Sequence, residues 1–167
     1  RCYDPRYSGQ WFKLDMYYCK SWFRAKGKPT ELWSIDKAKD AHVKREPYTV
    51  ILGEPDAPTC FVEFSNDYVG VSFLDENLRE YLTYQFQELE SNLLFLTMAV
   101  HRSFSDNQKN PSFSTTYMFE TDGGVVIWKE NLISGEKSRY EKNFDPAKNY
   151  ETYPNFGQYE SIARRDR

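Results

Sequence analysis

The chain has 167 residues and a net charge of −3 at neutral pH, and its aromatic residues are 13 Tyr, 12 Phe and 4 Trp. This length predicts a single β-rich domain over residues 1–167. It is long enough to bury a core that is stable without disulfides or metal sites. The absence of an apolar run of about 18 residues excludes a transmembrane helix, and no signal peptide is visible.

The three cysteines, Cys2, Cys19 and Cys60, match neither a zinc site nor a CxxC redox motif. We therefore expect reduced thiols and a cytoplasmic protein. A disulfide between Cys19 and Cys60 stays open as the alternative for an oxidising compartment.

Apolar and aromatic residues at every second position predict strands in the first third of the chain. Phe12–Arg24 is the first, with a bulge or strand end near Lys20, and Thr30–Asp36 follows. Lys37–Pro47 is polar and predicts a loop or a short helix. Tyr48–Leu52 predicts a short strand.

The clearest pattern is a hairpin formed by Cys60–Ser65 and Tyr68–Leu74, with Asn66-Asp67 at the bend. Asn and Asp accept the positive φ of tight hairpin turns. A second hairpin is predicted at Asp122-Gly123. The remaining predicted strands are Arg79–Glu88, Leu93–Phe104, Ser114–Thr121, Val125–Ile133 and Lys137–Phe144.

The connections between these strands are short, which predicts a mainly all-β fold with an antiparallel meander. Because a long meander twists, we expect it to close into a barrel or a strongly curved half-barrel. The segment from Asn155 to Arg167 allows a short C-terminal helix, since Phe156, Tyr159 and Ile162 recur at about helical spacing.

The residues predicted to point inward are large, so we expect a filled interior rather than a cavity. They are Phe12, Met16, Tyr18, Trp22, Phe64, Leu82, Tyr84, Phe86, Leu94, Leu96 and Met98.

Catalytic motifs are scarce. The two histidines, His42 and His101, are far apart in sequence, and no Ser/His/Asp order or Gly-rich phosphate loop is present. The sequence therefore predicts no enzyme activity, no metal and no cofactor, and an enzyme of unknown reaction stays a third alternative.

Charge is distributed in blocks. Residues 1–45 hold 11 basic and 5 acidic side chains, whereas residues 46–122 hold 3 basic and 13 acidic ones. An acidic face would attract a basic protein and repel nucleic acid and anionic membranes, although the same charge could serve solubility alone. The predicted partner-binding residues are Glu63, Asp75, Glu76, Tyr81, Gln85 and Glu90.

The Gly9-x-Trp11 pattern resembles the first motif of the lipocalins, in which the Trp closes the barrel floor. This resemblance implies a carrier of a small hydrophobic ligand, and Trp11, Tyr18 and Trp22 are then the candidate ligand-binding residues.

The segment from Cys60 to residue 167 is similar to bacterial proteins found near polymorphic toxins. The stretches that carry the resemblance are "CFVEFSNDYVGVSFLD", "TTYMFETDGG" and "YPNFGQYESIARR". The resemblance implies an immunity protein that neutralises a cognate toxin domain by occlusion. The acidic segment predicts that this toxin is basic, and we favour this function over the carrier.

Overall fold

The computed structural model describes residues 15–167, which form a mainly β structure with one α-helix and one 3₁₀ helix among them. The first strands are short and flank the α-helix: β1 (Met16–Cys19), β2 (Trp22–Phe23), β3 (Lys28–Pro29), β4 (Leu32–Trp33) and α1 (Ile35–Lys44). The long strands follow: β5 (Tyr48–Glu54), β6 (Ala57–Phe64), β7 (Tyr68–Leu74), β8 (Glu80–Glu90), β9 (Leu93–Ser103), β10 (Phe113–Phe119), β11 (Gly124–Asn131) and β12 (Lys137–Asn143). The chain ends with the 3₁₀ helix η1 (Pro146–Asn149), the strand β13 (Tyr150–Thr152) and a tail, residues 153–167.

One antiparallel sheet of 11 strands dominates the described residues, in the order β12-β11-β10-β9-β8-β7-β6-β5-β1-β4. The strand β13 pairs with the beginning of β9 beside this path, and β2 and β3 form a separate hairpin. The predicted antiparallel meander is thus confirmed. Within residues 15–167 the sheet is open, with β4 and β12 as its edges, so the predicted closure into a barrel is not observed.

Both predicted hairpin bends are confirmed. Asn66-Asp67 joins β6 to β7, where the Ser65 amide donates to the Tyr68 carbonyl over 2.9 Å. Asp122-Gly123 joins β10 to β11, and Gly123 has a φ of +96° that favours glycine. These turns hold neighbouring strands in register without long connections.

The helix α1 and the tail cover one face of the sheet, which we call the inner face. Ser34 caps α1 by accepting a hydrogen bond from the Lys37 amide, and Ala38 and Ala41 face the sheet. The core between them consists of alternate strand residues, including Tyr48, Val50, Leu52, Val62, Phe64, Val69, Val71, Phe73, Leu82, Phe86 and Leu94. This part of the interior is filled, as the sequence predicted.

The tail contributes Phe156, Tyr159 and Ile162 to that core, but it is not a helix. Residues 155–167 form turns, with one helical-type hydrogen bond from the Ala163 amide to the Tyr159 carbonyl. The prediction of a short C-terminal helix was therefore wrong. Gly157 has a φ of +79°, which interrupts any right-handed helix, although the spacing correctly identified the residues that become buried.

The hairpin of β2 and β3 covers part of the opposite, outer face. Trp22 stacks on Phe61 with 5.3 Å between ring centroids, and Cys19, Ile51 and Leu74 complete this outer cluster. Trp22 is buried on the outer face, so its predicted inward position was wrong. The chain turns after Cys19, at the strand end predicted near Lys20, and this turn changes the face that Trp22 meets.

A β-bulge explains the other incorrect inward residue. The register between β8 and β9 shifts between Gln85 and Phe86, which leaves Thr97 as the extra residue. Leu96 and Ala99 consequently point inward, and Met98 points outward.

Cys19 and Cys60 lie on opposite faces of the sheet and do not form a disulfide with each other. Cys19 is opposite Thr49 in the outer layer, whereas Cys60 is opposite Leu52 in the inner core. This rules out the Cys19–Cys60 pair in this fold.

Candidate functional site

The inner face contains a cleft where the filled core ends, with a volume of about 800 Å³. The strand registers place Tyr84, Ala99, Tyr117 and Ile127 in one row across β8, β9, β10 and β11. Ala99 has only a methyl group between the two tyrosines, and the small side chain contributes to the open space above the row. The expectation of a completely filled interior was therefore wrong for the part of the inner face that β8 to β11 form.

The walls of the cleft are positioned by β9, which pairs with two different strands along its length. The beginning of β9 pairs with β13, whereas its end, from Met98, pairs with β10. The 3₁₀ helix lies at this division, where the buried Asn149 donates from Nδ2 to the Leu96 carbonyl over 3.0 Å. The chain before η1 forms a further part of the wall through Phe144 and Asp145.

The floor of the cleft is aromatic and aliphatic. Tyr117 and Phe119 stack with 6.2 Å between centroids, and Phe119 meets Phe144 at 5.0 Å. His101 lies 5.9 Å from Tyr117, and burial lowers the pKa of His101 below its ordinary value. Neutral His101 and the Tyr117 hydroxyl therefore supply polar groups to an otherwise apolar floor. Leu96, Val125 and Ile127 complete it.

Cations outnumber carboxylates in the lining of the cleft. The four cationic residues are Lys142, Lys148, Arg164 and Arg167, and the two carboxylates are Asp145 and Asp166. Asp145 also caps η1, because its Oδ1 accepts from the Ala147 amide over 3.1 Å. The resulting excess of positive charge favours an anionic group in the cleft.

Arg167 is the most enclosed of these cations, with 4% of its side chain exposed. Its Nη2 lies 2.8 Å from Glu151 Oε1 and also donates to the Ser161 carbonyl, while the guanidinium carbon lies 4.9 Å from the centre of the Phe86 ring. Burial lowers the pKa of Arg167. Among residues 15–167, its Nε and Nη1 are buried without a hydrogen-bond acceptor.

The predicted partner-binding residues do not form one cluster. Glu63 is held by Arg24, with 2.5 Å between Glu63 Oε2 and Arg24 Nη2, and Asp75 is held by Arg79 at 2.7 Å. Asp75 also accepts from the Asn77 and Arg79 amides, which makes it part of the turn before β8.

The other four residues of this set are spread over β8 and the turn before it. Glu76 is exposed in that turn and Glu90 is exposed at the far end of β8, a strand that spans roughly 33 Å at about 3.3 Å per extended residue. Tyr81 is half-buried against the inner core, with the Arg165 guanidinium 5.7 Å from its ring centre. Gln85 lies half-buried on the outer face, opposite Met98.

The residues predicted for a carrier are also separated. Tyr18 is in the inner core, stacked on Phe156 at 5.0 Å, whereas Trp22 is in the outer cluster. Neither lines the cleft. Trp11 and the Gly9-x-Trp11 pattern lie outside the described residues.

A second groove, of about 530 Å³, lies between the β2–β3 hairpin and the start of β8. Its arginines are largely engaged within the protein: Arg24 contacts Glu63 and Glu80, and Arg79 contacts Asp75. Arg102 donates to the Glu80 carbonyl and to the Thr83 hydroxyl. The contacts of Arg24 join the hairpin to the sheet, and those of Arg79 and Arg102 lie within the turn before β8 and between β8 and β9, so the groove has a structural explanation.

Metal-binding and thiol chemistry find little support in the described part of the chain. Residues 15–167 contain no group of three or more His, Cys, Asp or Glu placed to hold a metal ion. Burial raises the pKa of Cys19 to about 11, which disfavours the reactive thiolate.

Sequence reasoning missed the cleft because the predicted inward set ended at Met98. Alternation in β10 and β11 was visible at Tyr117, Phe119, Val125 and Ile127, and these residues could have been placed inward by the same rule. The arginines of the tail could not have been placed, since their position depends on how the tail crosses the sheet.

A scan against protein-family models found no match, and searches of curated proteins and of solved structures found no similar chain. Within residues 15–167, no helix combines the length and the apolar character needed to cross a membrane.

Proposed function

We propose that this protein binds a small hydrophobic ligand in the cleft of the inner face. The observation that carries this proposal is the row Tyr84, Ala99, Tyr117 and Ile127, which forms an apolar floor below a cleft of about 800 Å³. Ligand sites are typically clefts of roughly 300–1,000 Å³ with mostly apolar walls and a few polar groups.

The carrier function was the alternative in the sequence analysis, and the geometry now favours it over protein binding. The cleft differs from the predicted ligand site, because it uses β8 to β11 instead of Tyr18 and Trp22. Burial of apolar ligand surface against the floor is the source of affinity, at roughly 25 cal/mol per Å² before the costs of association.

Filling the cleft tests the proposal. We expect Ala99→Phe to weaken binding of the neutral fluorophore Nile red about tenfold or more, because the new ring occupies the space above the row and overpacking costs about 1–3 kcal/mol. The measurement is a fluorescence titration of the purified chain, with thermal unfolding to confirm that the variant is folded.

The matched control is Thr116→Phe. Thr116 lies opposite Val100 and Trp128 on the outer face of the same region, so the added ring does not enter the cleft. Wild-type affinity in the control and loss of affinity in Ala99→Phe support the proposal. A wild-type chain that does not bind Nile red, or equal binding by the wild type and Ala99→Phe, would overturn it.

Neutralisation of a basic toxin by occlusion is the second candidate function. One observation favours a protein contact. A row of residues crosses the outer face, and it consists of Gln85, Met98, Met118 and Val126. Met118 and the neighbouring Trp128 are exposed, and such side chains are common in interfaces. The ion pairs of Glu63 and Asp75 reduce the charge on which this hypothesis first depended.

A further inference from the structure

We propose that the ligand of the cleft is a single-chain amphiphile whose anionic head group is bound by Arg167 and the neighbouring cations of the cleft. This inference rests on the proposed function and adds the chemical class of the ligand. Its basis is the division of the cleft into an apolar floor and a cationic wall.

The division follows from the fold. The floor belongs to the strands, whose inward residues Leu96, Ala99 and Phe119 are apolar. The charged groups come from the strand end and segments that border it: Lys142 from β12, Lys148 from η1, and Arg164 and Arg167 from the tail. An amphiphile can therefore place its chain on the sheet and its head group toward the tail.

Arg167 provides the second, independent observation. Its Nη2 is satisfied by Glu151 and by the Ser161 carbonyl, but Nε and Nη1 are buried without an acceptor among residues 15–167. Buried donors on a charged group are costly when they have no acceptor. Nε and Nη1 lie on different sides of the guanidinium, and each can donate a charge-assisted hydrogen bond to an oxygen of a carboxylate or phosphate.

The site also contains carboxylates that would repel an anion, and two of them already have partners within the protein. Glu151 already compensates part of the charge of Arg164 and Arg167, at 3.2 Å and 2.8 Å respectively. Asp145 is occupied as the cap of η1, which leaves Asp166 as the other carboxylate of the lining. Lys142 and Lys148 then provide charge beyond that of the two arginines. The volume of about 800 Å³ suits one alkyl chain with its head group.

The test compares ligands that share one chain and differ in the head group. Dodecanoate, dodecyl phosphate, dodecanol and dodecylammonium are each used to displace Nile red from the wild-type chain. We expect at least one of the two anions to displace Nile red at a concentration about tenfold lower than dodecanol, the ratio expected for a charge-assisted hydrogen bond. Dodecylammonium should be the weakest competitor. The two anionic ligands distinguish a carboxylate from a phosphate head group.

Arg167→Gln should remove most of the preference for the anion while Nile red still binds. The matched control is Arg165→Gln, because the Arg165 guanidinium lies over Phe73 and Tyr81 and Arg165 does not line the cleft. Tyr84 contacts only the backbone carbonyl of Arg165, so this contact survives the substitution. If Arg167→Gln does not fold, the double variant Lys142→Gln/Lys148→Gln replaces it, and the same reduction in preference is expected.

The outcomes separate the two proposals. If Nile red binds in an Ala99-dependent manner but both anions compete no better than dodecanol, the head-group inference is overturned and the ligand-binding function stands. Equal anion preference in Arg165→Gln and Arg167→Gln also overturns the inference. If Nile red binding does not depend on Ala99, the proposed function itself fails.

Discussion

His42 shows how a single buried polar residue is accommodated in the aromatic core. Its Nδ1 lies 2.7 Å from the Tyr48 hydroxyl, which in turn lies 3.3 Å from the hydroxyl of Tyr159 in the tail. The ring also forms a hydrogen bond with the backbone of Pro154. These contacts suit a neutral imidazole that accepts from Tyr48, and they connect helix, sheet and tail in the middle of the inner core.

The neutral state of His42 predicts a pH dependence of stability. Burial, followed by the nearby charge of Arg45, lowers the pKa of His42 from its ordinary 6.5 in the folded chain. The unfolded chain then binds the proton first as pH falls below about 6.5. We expect the free energy of unfolding to decrease between about pH 7.5 and pH 5.5, measured by urea denaturation.

Two histidine variants test which residue causes this pH dependence of stability. His42→Gln should lower stability at neutral pH and flatten the slope. His101→Gln should retain the part of the slope that belongs to His42 and lose only its own part, because burial lowers the pKa of His101 as well. An unchanged slope in His42→Gln would show that His42 is not the group that titrates.

At the scale of elements, the β2–β3 hairpin shows how short strands are held by side chains. Its two strands pair over only two positions, Trp22 with Pro29 and Phe23 with Lys28. Trp22 and Phe23 are adjacent but differ in environment: Trp22 is 4% exposed in the outer cluster, and Phe23 is 43% exposed. The attachment of the hairpin therefore depends on the burial of Trp22 and on the ion pairs of Arg24 with Glu63 and Glu80.

This difference predicts unequal effects of two neighbouring substitutions. We expect Trp22→Ala to lower the free energy of unfolding by about 3–5 kcal/mol, the range for truncating a buried aromatic side chain. Phe23→Ala should cost less than about 1 kcal/mol because its ring is largely exposed. Equal costs at the two positions, measured by denaturant titration, would contradict the assignment of Trp22 to a packed cluster.

The strand periodicity was readable from sequence because each long strand has one buried face. Leu82, Tyr84 and Phe86 in β8 alternate as the predicted period requires, and the hairpin bends were identified from their turn residues. The features that were predicted incorrectly depend on longer-range geometry. The bulge at Thr97 shifts the face of Met98, and the turn after Cys19 moves Trp22 to the outer cluster. The cleft likewise depends on how β9 is shared between β10 and β13.

At the scale of the whole molecule, folding brings the basic and acidic blocks of the sequence together. Arg24 and Arg45 belong to the basic first 45 residues, and they contact Glu63, Glu80 and Glu88 in the acidic segment. These pairs leave less uncompensated negative charge on the surface than the sequence suggested. They join the hairpin and the end of α1 to the sheet. These acidic residues therefore have a structural role that does not require a basic partner.

The exposed carboxylates that remain permit a test of the protein-binding candidate. If the acidic segment attracts a basic partner, Glu76→Lys/Glu90→Lys should slow association, and the effect should shrink as salt rises, because about 0.1 M salt screens charges beyond roughly 10 Å. Asp75 is left intact because it holds the turn before β8. The control Glu136→Lys/Glu141→Lys makes the same change of charge at exposed positions at and beside β12, outside the acidic segment. Association rates would be measured on the protein recovered by pull-down from the source organism. Equal rates for the two double variants, or an acidic partner, would argue against steering and leave ligand binding in the cleft as the supported function.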